Sequence, residues 1–149
     1  MKRAVLVVAA VLFGATAVVA QQDLIEQSHA SMKANGKALG GTLSPMARGD
    51  KPYDQAAVDA ALAQLEASAK KIPSLYPASV KDVKQTSEYT PSPKIWEDKA
   101  GFEAATANFA KAVSEAKGKI KDADSLKAAM PSIGKACSGC HETFRVKNS

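Results

Sequence analysis

An all-α chain folded as an up-down-up-down antiparallel four-helix bundle is what this sequence predicts. Three observations predict it. The chain is rich in Ala and Lys and poor in β-branched runs, which favours helix. Four stretches repeat apolar residues at helical spacing, two of them alternating four and three and one at heptad-like intervals, the signature of one buried helical face. The segments between them carry Pro, Gly and Asp, which end and cap helices. Two of those connections are short and one is longer, as a bundle of antiparallel neighbours requires.

The N-terminus reads as a secretory leader. Lys2 and Arg3 form a basic start, Ala4 to Phe13 is apolar, and Ala17-Val18-Val19-Ala20 ends the run with small residues. Cleavage after Ala20 divides the chain into a signal peptide, 1–20, and one domain, 21–149, beginning at Gln21. The competing reading is a retained membrane anchor. The apolar run of 17 residues is at the short limit for a span and ends in a cleavable motif. Without Lys2 and Arg3 the net charge falls from +5 to about +3. That mild excess suits steering toward an acidic partner at low salt. No dense basic cluster with interleaved aromatics is present, so nucleic acid is not an expected partner.

The first helix is expected from Asp23 to Leu43, with Leu24, Ile25, Ser28, Met32, Gly36, Leu39 and Leu43 near one face. Gly36, Gly40 and Gly41 are costly inside a helix. Either a bulky group lies against that backbone or the helix frays toward Ser44-Pro45. A turn follows from Pro45 to Tyr53, and Asp54 has the character of an N-cap. From it Val58, Leu62, Leu65, Ala69 and Ile72 form a seam that ends at Pro73. Residues 73–92 hold Pro73, Pro77 and Pro91 and no sustained period, so they read as a connection across the bundle end, tacked down by Leu75, Tyr76 and Val80. Ser92-Pro93 starts the third helix, with a capping hydroxyl and proline at the first helical position. Ile95, Phe102, Phe109, Val113 and Ile120 are its seam, Trp96 lies beside it, and Gly118 marks its end. Asp122 or Asp124 caps the last helix, whose seam is Leu126, Met130, Ile133, Cys137, Cys140 and Phe144. Pro131 predicts a kink there or a division near Met130.

On that last seam lies Cys137-Ser138-Gly139-Cys140-His141. Cys-x-x-Cys-His is the pattern of covalent c-type haem attachment. Each thiol can add to a porphyrin vinyl group, and the adjacent imidazole can bind the iron. On a helix the i,i+3 and i,i+4 spacings bring all three side chains to one side. A thioredoxin-like pair needs a βαβ context that is missing, and a zinc ribbon needs a second ligand pair. These are the only two cysteines, and the only other histidine is His29. A disulfide between such close neighbours would close almost no loop. One haem c per chain, with its iron, is therefore expected, and export agrees with attachment outside the bacterial cytoplasm.

With His141 on one axial position, the candidates for the other are His29, Met32, Met46 and Met130. Met130 lies 11 residues before His141 on the same helix, ill placed for the opposite haem face. Met46 follows Pro45 in a turn. Met32 lies mid-helix on the apolar face of the first helix, and His29 is about 60° away around that axis. Met32 is the leading candidate; an open position and His29 remain as alternatives. Met/His ligation raises the potential and suits one-electron transfer, whereas an open position suits gas binding. No cluster of carboxylates, spare histidines or nucleophile–base pairs remains outside the haem motif, so an enzyme is not expected.

The chain resembles the class II cytochromes c, the cytochrome c′ superfamily, and within it the low-spin cytochrome c-556 type. The resemblance covers all of 21–149. It rests on Cys137-Ser138-Gly139-Cys140-His141-Glu142-Thr143-Phe144-Arg145, on Ala47-Arg48-Gly49-Asp50-Lys51-Pro52-Tyr53-Asp54, and on Ser92-Pro93-Lys94-Ile95-Trp96. It implies a four-helix bundle and a soluble periplasmic electron carrier serving other redox proteins. It also implies a methionine sixth ligand on the first helix, where Met32 stands, and it admits a homodimer. High-spin relatives carry an arginine one turn before the residue over the iron. Here that position is Ser28, which favours the low-spin branch over a five-coordinate cytochrome c′ binding NO or CO. Arg145 matches a basic position after the haem motif and can serve a haem propionate or a bundle carboxylate. Lys33 is a second candidate for a propionate.

Overall fold

The computed structural model describes the backbone of residues 2–148 and the side chains of residues 18–148. The basic start and apolar run of the expected leader lie outside the described side chains. Four long helical segments pack as an antiparallel up-down-up-down bundle: α1 (Lys2–Gly36), α3 (Gln55–Lys71), α5 (Lys99–Lys119) and α6 (Ala123–Phe144). Between them lie the short helices α2 (Ser44–Arg48) and α4 (Lys94–Glu97).

The first helix does not simply fray at its glycines. After Gly36 the chain widens into a π-helical segment, Lys37–Leu43, and passes directly into α2. The Ser44 amide still donates to the Leu39 carbonyl, five residues back. Gly40 and Gly41 have nothing within 4 Å of where a Cβ would stand. Lys51 Nζ donates to the Gly41 carbonyl at 3.0 Å, supplying a partner from outside the widened turn. The turn expected over Pro45–Tyr53 is thus helical as far as Arg48. Pro45 has no N–H to offer the Gly41 carbonyl four residues back, and the Lys51 ammonium takes that place. The reversal comes at Gly49, whose φ of 81° favours glycine.

Asp54 caps α3 as expected, accepting from the Ala57 amide at 3.1 Å. Val58, Leu62 and Leu65 are fully buried, and the helix tightens into a 3₁₀ turn, Ile72–Leu75, around Pro73. Leu75 and Val80 then anchor the long connection.

The third helix departs from expectation. Ser92-Pro93 does start a helix, with Ser92 Oγ accepting from the Lys94 amide at 3.2 Å. It ends after four residues, because Asp98 leaves helical geometry and becomes the N-cap of α5, accepting from the Gly101 amide at 2.9 Å. The helix then runs through Gly118 to Lys119, and Ile120 turns into extended backbone with its side chain buried. Of the two candidate caps for α6, Asp122 is the cap; with Ser125 it forms a reciprocal capping box. That helix is not divided at Pro131. Pro131 and Lys127 both lie on the exposed side, so the carbonyl that loses its partner faces water.

One element was not expected from periodicity. Tyr89–Pro91 (β1) pairs antiparallel with Arg145–Lys147 (β2), with Thr90 opposite Val146. The ribbon ties the long connection to the chain immediately after α6, and the Ser92 amide donates to the Phe144 carbonyl at 3.0 Å beside it.

Candidate haem site

A cavity of about 690 Å³ opens between α1, α6 and the ribbon. Its volume falls within the range of cofactor sites. Helix α6 contributes Ala136, Cys137, Cys140, His141 and Phe144 to one wall. Helix α1 contributes Ser28, His29, Met32, Asn35 and Gly36 to another. Ile72, Tyr76, Ile95, Phe102 and Phe109 supply an apolar flank, and residues 87–91 form the rim. All four residues singled out by sequence, Cys137, Cys140, His141 and Met32, therefore line one space. Met46 is buried elsewhere in the core, and Met130 packs on the core outside the cavity. Of the three glycines in the first helical stretch, Gly36 alone meets the cavity; Gly40 and Gly41 belong to the π-helical segment.

The electrostatics suit haem attachment better than thiolate chemistry. Burial pushes the Cys137 thiol up, with a smaller contribution from Cys140, and burial pushes Cys140 up as well. A thiol pushed up by burial is a poorer nucleophile than a thiolate, which speaks against a reactive redox pair. They are free cysteines, and among the described residues no cluster of three His, Cys, Asp or Glu could hold a bare metal ion. Burial, and then the Arg145 charge, push His141 below its ordinary value. A neutral imidazole with a free lone pair is the form that binds iron.

The residues present fit a haem. The wall is mostly apolar, as a porphyrin requires, and two thiols, an imidazole and a thioether meet there. Asn35 lies in the same wall, 8% exposed, with its Oδ1 buried and unpartnered. A group that fills the cavity and brings a hydrogen-bonding partner would relieve that cost of roughly 1–3 kcal/mol.

His29 also reaches the cavity, but its Nε2 lies 3.2 Å from Ser87 Oγ. The Ser87 hydroxyl donates its proton to the Tyr89 carbonyl at 2.8 Å, so His29 Nε2 is the donor in that contact. That nitrogen is held toward the rim rather than left free for a metal. Arg145 stacks on the Tyr89 ring, its guanidinium carbon 4.3 Å from the centroid. Lys33 lines the cavity from α1.

Sequence reasoning did not assign Asn35, Ser87, Phe102 or Phe109 to the site. Phe102 and Phe109 carried only a core signal. Asn35 and Ser87 carried none, because their place depends on which segments meet in space.

Comparison with known proteins agrees with this geometry. The family model described as Cytochrome C' matches residues 23–145. Cytochrome c-556 of Rhodopseudomonas palustris is 55% identical over 148 residues, 99% of each chain. A structural model of oxidised R. palustris cytochrome c556 superposes with a TM-score of 0.75 at 55% identity, covering 86% of this chain and 99% of the other. The structure of cytochrome c′ from the same organism gives a TM-score of 0.77 at 40% identity, covering 85% and 98%. With a four-helix frame and a Cys-x-x-Cys-His motif on its last helix, the chain belongs to the cytochrome c′ family of haem c proteins.

Proposed function

We propose that the protein is a periplasmic one-electron carrier with a low-spin haem c, held by thioether bonds from Cys137 and Cys140 and ligated by His141 and Met32. One observation carries this reading: Met32 on α1 and His141 on α6 line the same cavity, and among the described residues no other methionine does. The bound haem supplies a reversible one-electron couple, and no substrate is transformed. The protein residues do the rest. Cys137 and Cys140 fix the macrocycle against α6. His141, neutral and half-buried, offers nitrogen, and Met32 offers sulfur from the facing helix. Phe102, Phe109 and Ile95 keep water from the buried face. Two strong-field ligands on a rigid bundle leave little to rearrange between oxidation states.

Cleavage after Ala20 would release 21–149 into the periplasm, where other redox proteins are the partners. Among the described residues no helix is long and apolar enough to cross a membrane. The remaining positive charge favours encounter with an acidic partner at low salt.

Oxidised and reduced visible spectra test this reading. The ferric protein should show a methionine-to-iron charge-transfer band in the near red, and Met32→Ala should abolish it. A high-spin ferric spectrum in the wild type, with rapid carbon monoxide binding by the ferrous protein, would instead assign a five-coordinate gas-binding cytochrome c′. Mass spectrometry of the exported protein should give a chain beginning at Gln21 with one haem added.

A further inference from the structure

Methionine is a weak and flexible ligand, with three rotatable side-chain bonds and a soft thioether. Holding its sulfur on an iron requires that the helix bearing it be held first. The structure shows where that restraint lies. Among the described residues, every side-chain hydrogen bond from α1 to the rest of the molecule starts within one turn, Ser28–Ser31, just before Met32. Ser28 Oγ meets the Tyr76 hydroxyl at 2.5 Å. His29 Nε2 meets Ser87 Oγ at 3.2 Å. Ser31 Oγ meets Ser68 Oγ on α3 at 3.1 Å. These partners lie 37 to 58 residues away and come from three separate segments.

The Ser28–Tyr76 bond is the shortest of the three. Ser28 is 4% exposed and lies one helical turn before Met32 on the same face. Tyr76 is itself fixed at two points. Its carbonyl accepts from Trp96 Nε1 at 3.1 Å, and its ring meets Phe102 edge-on at 5.6 Å. A restraint thus runs from α4 through Tyr76 to the turn that carries Met32.

We propose that the Ser28–Ser31 turn is a polar clamp, with Tyr76 as its main positioning residue, that holds Met32 in ligating register and sets how readily another ligand displaces it. This rests on Met32 being the sixth ligand. A helical turn bearing three polar side chains toward the bundle is unfavourable unless each is partnered, and here each is. Loss of one bond loosens α1 locally without emptying the core, so the effect falls on the iron–sulfur contact before it falls on the fold.

The test uses purified haem-loaded wild type, Tyr76→Phe, Ser28→Ala and the double variant. Ferric protein is titrated with potassium cyanide, and the near-red methionine band is followed together with far-ultraviolet circular dichroism. Tyr76→Phe removes only the hydroxyl. It should raise apparent cyanide affinity by roughly fivefold, the worth of one hydrogen bond, with helix content unchanged. Ser28→Ala should do the same, and the double variant should match either single one, because all three remove one bond. Should Tyr76→Phe fail to accumulate with haem, Ser28→Ala carries the comparison alone. Folded variants with wild-type cyanide affinity and an unchanged band overturn the clamp. A wild type without the band, or Met32→Ala that retains it, overturns the ligation reading instead.

Discussion

Phe102 shows how much of the site depends on a single side chain. It is 6% exposed and lies edge-on to both Tyr76, at 5.6 Å, and Phe144, at 5.3 Å. Such pairs add to the burial energy of a large ring. Phe102→Ala should therefore lower unfolding stability by about 3–5 kcal/mol, read from chemical denaturation of the haem-loaded protein. Residues with a chemical signature of their own are legible in the sequence. Cys137, Cys140 and His141 stand out by spacing and Met32 as a methionine on another apolar seam, and the four line one cavity. Asn35 and Ser87 are not legible there, because an amide or hydroxyl acquires meaning only from what lies opposite. Tyr76 could be read as a tack for the long connection, but not as the partner of Ser28, 48 residues away.

Helix ends obey local rules, and most of them could be read from local residues. Asp54 and Asp122 are caps in the structure as in the sequence. Asp98 was missed because it interrupts a continuous apolar seam: Ile95 and Phe102 keep their spacing across the break. Its contribution can be isolated. Asp98→Ala should cost about 1 kcal/mol. A Cβ on Gly101 would stand 2.2 Å from Asp98 Oδ2, so Gly101→Ala displaces the cap that Gly101 now accommodates. Gly101→Ala should then stabilise the Asp98→Ala background by roughly 0.5–1 kcal/mol and give much less in the wild type, measured by thermal unfolding of the four proteins. Between helices, Glu66 on α3 receives Lys117 of α5 at 2.7 Å and Lys70 at 2.8 Å. Hydrogen bonds from Lys117 and then Lys70 bring its carboxyl down to about 2. A lowered carboxylate contributes stability that is complete above the ordinary value of 4.5 and is lost as pH falls toward 2. The same pair raises Lys117, so that contribution fades only as pH climbs past the ordinary lysine value. The melting temperature of wild type should drop more steeply between about pH 5 and 2 than that of Glu66→Gln. The ribbon lay beyond such rules: three residues per strand are too few to show a period of two, and Pro91 speaks against a strand.

For the whole molecule, the haem is as much a core element as a cofactor. Without it, about 690 Å³ between α1 and α6 is left to water or collapse, while the rest of the core still packs around Leu62, Val113, Leu126 and Ile133. A Cys137→Ser/Cys140→Ser chain, which cannot attach haem, should keep most of its far-ultraviolet helical signal but lose near-ultraviolet fine structure and bind a hydrophobic dye. Circular dichroism and dye fluorescence of that variant check this. The bundle was legible as a whole because seams, caps and connection lengths all agreed on it. The closing of its open end was not. There Asn148 donates through its backbone to the Glu88 carbonyl at 2.8 Å and through its side chain to the Ser87 carbonyl at 2.7 Å, on the rim of the cavity. Anything appended through Asn148 therefore leaves the molecule at the haem mouth. A purification tag on that side would hang over the cavity mouth and, on the proposed function, hinder exchange of electrons there. A short conductive linker there would present the mouth to an electrode.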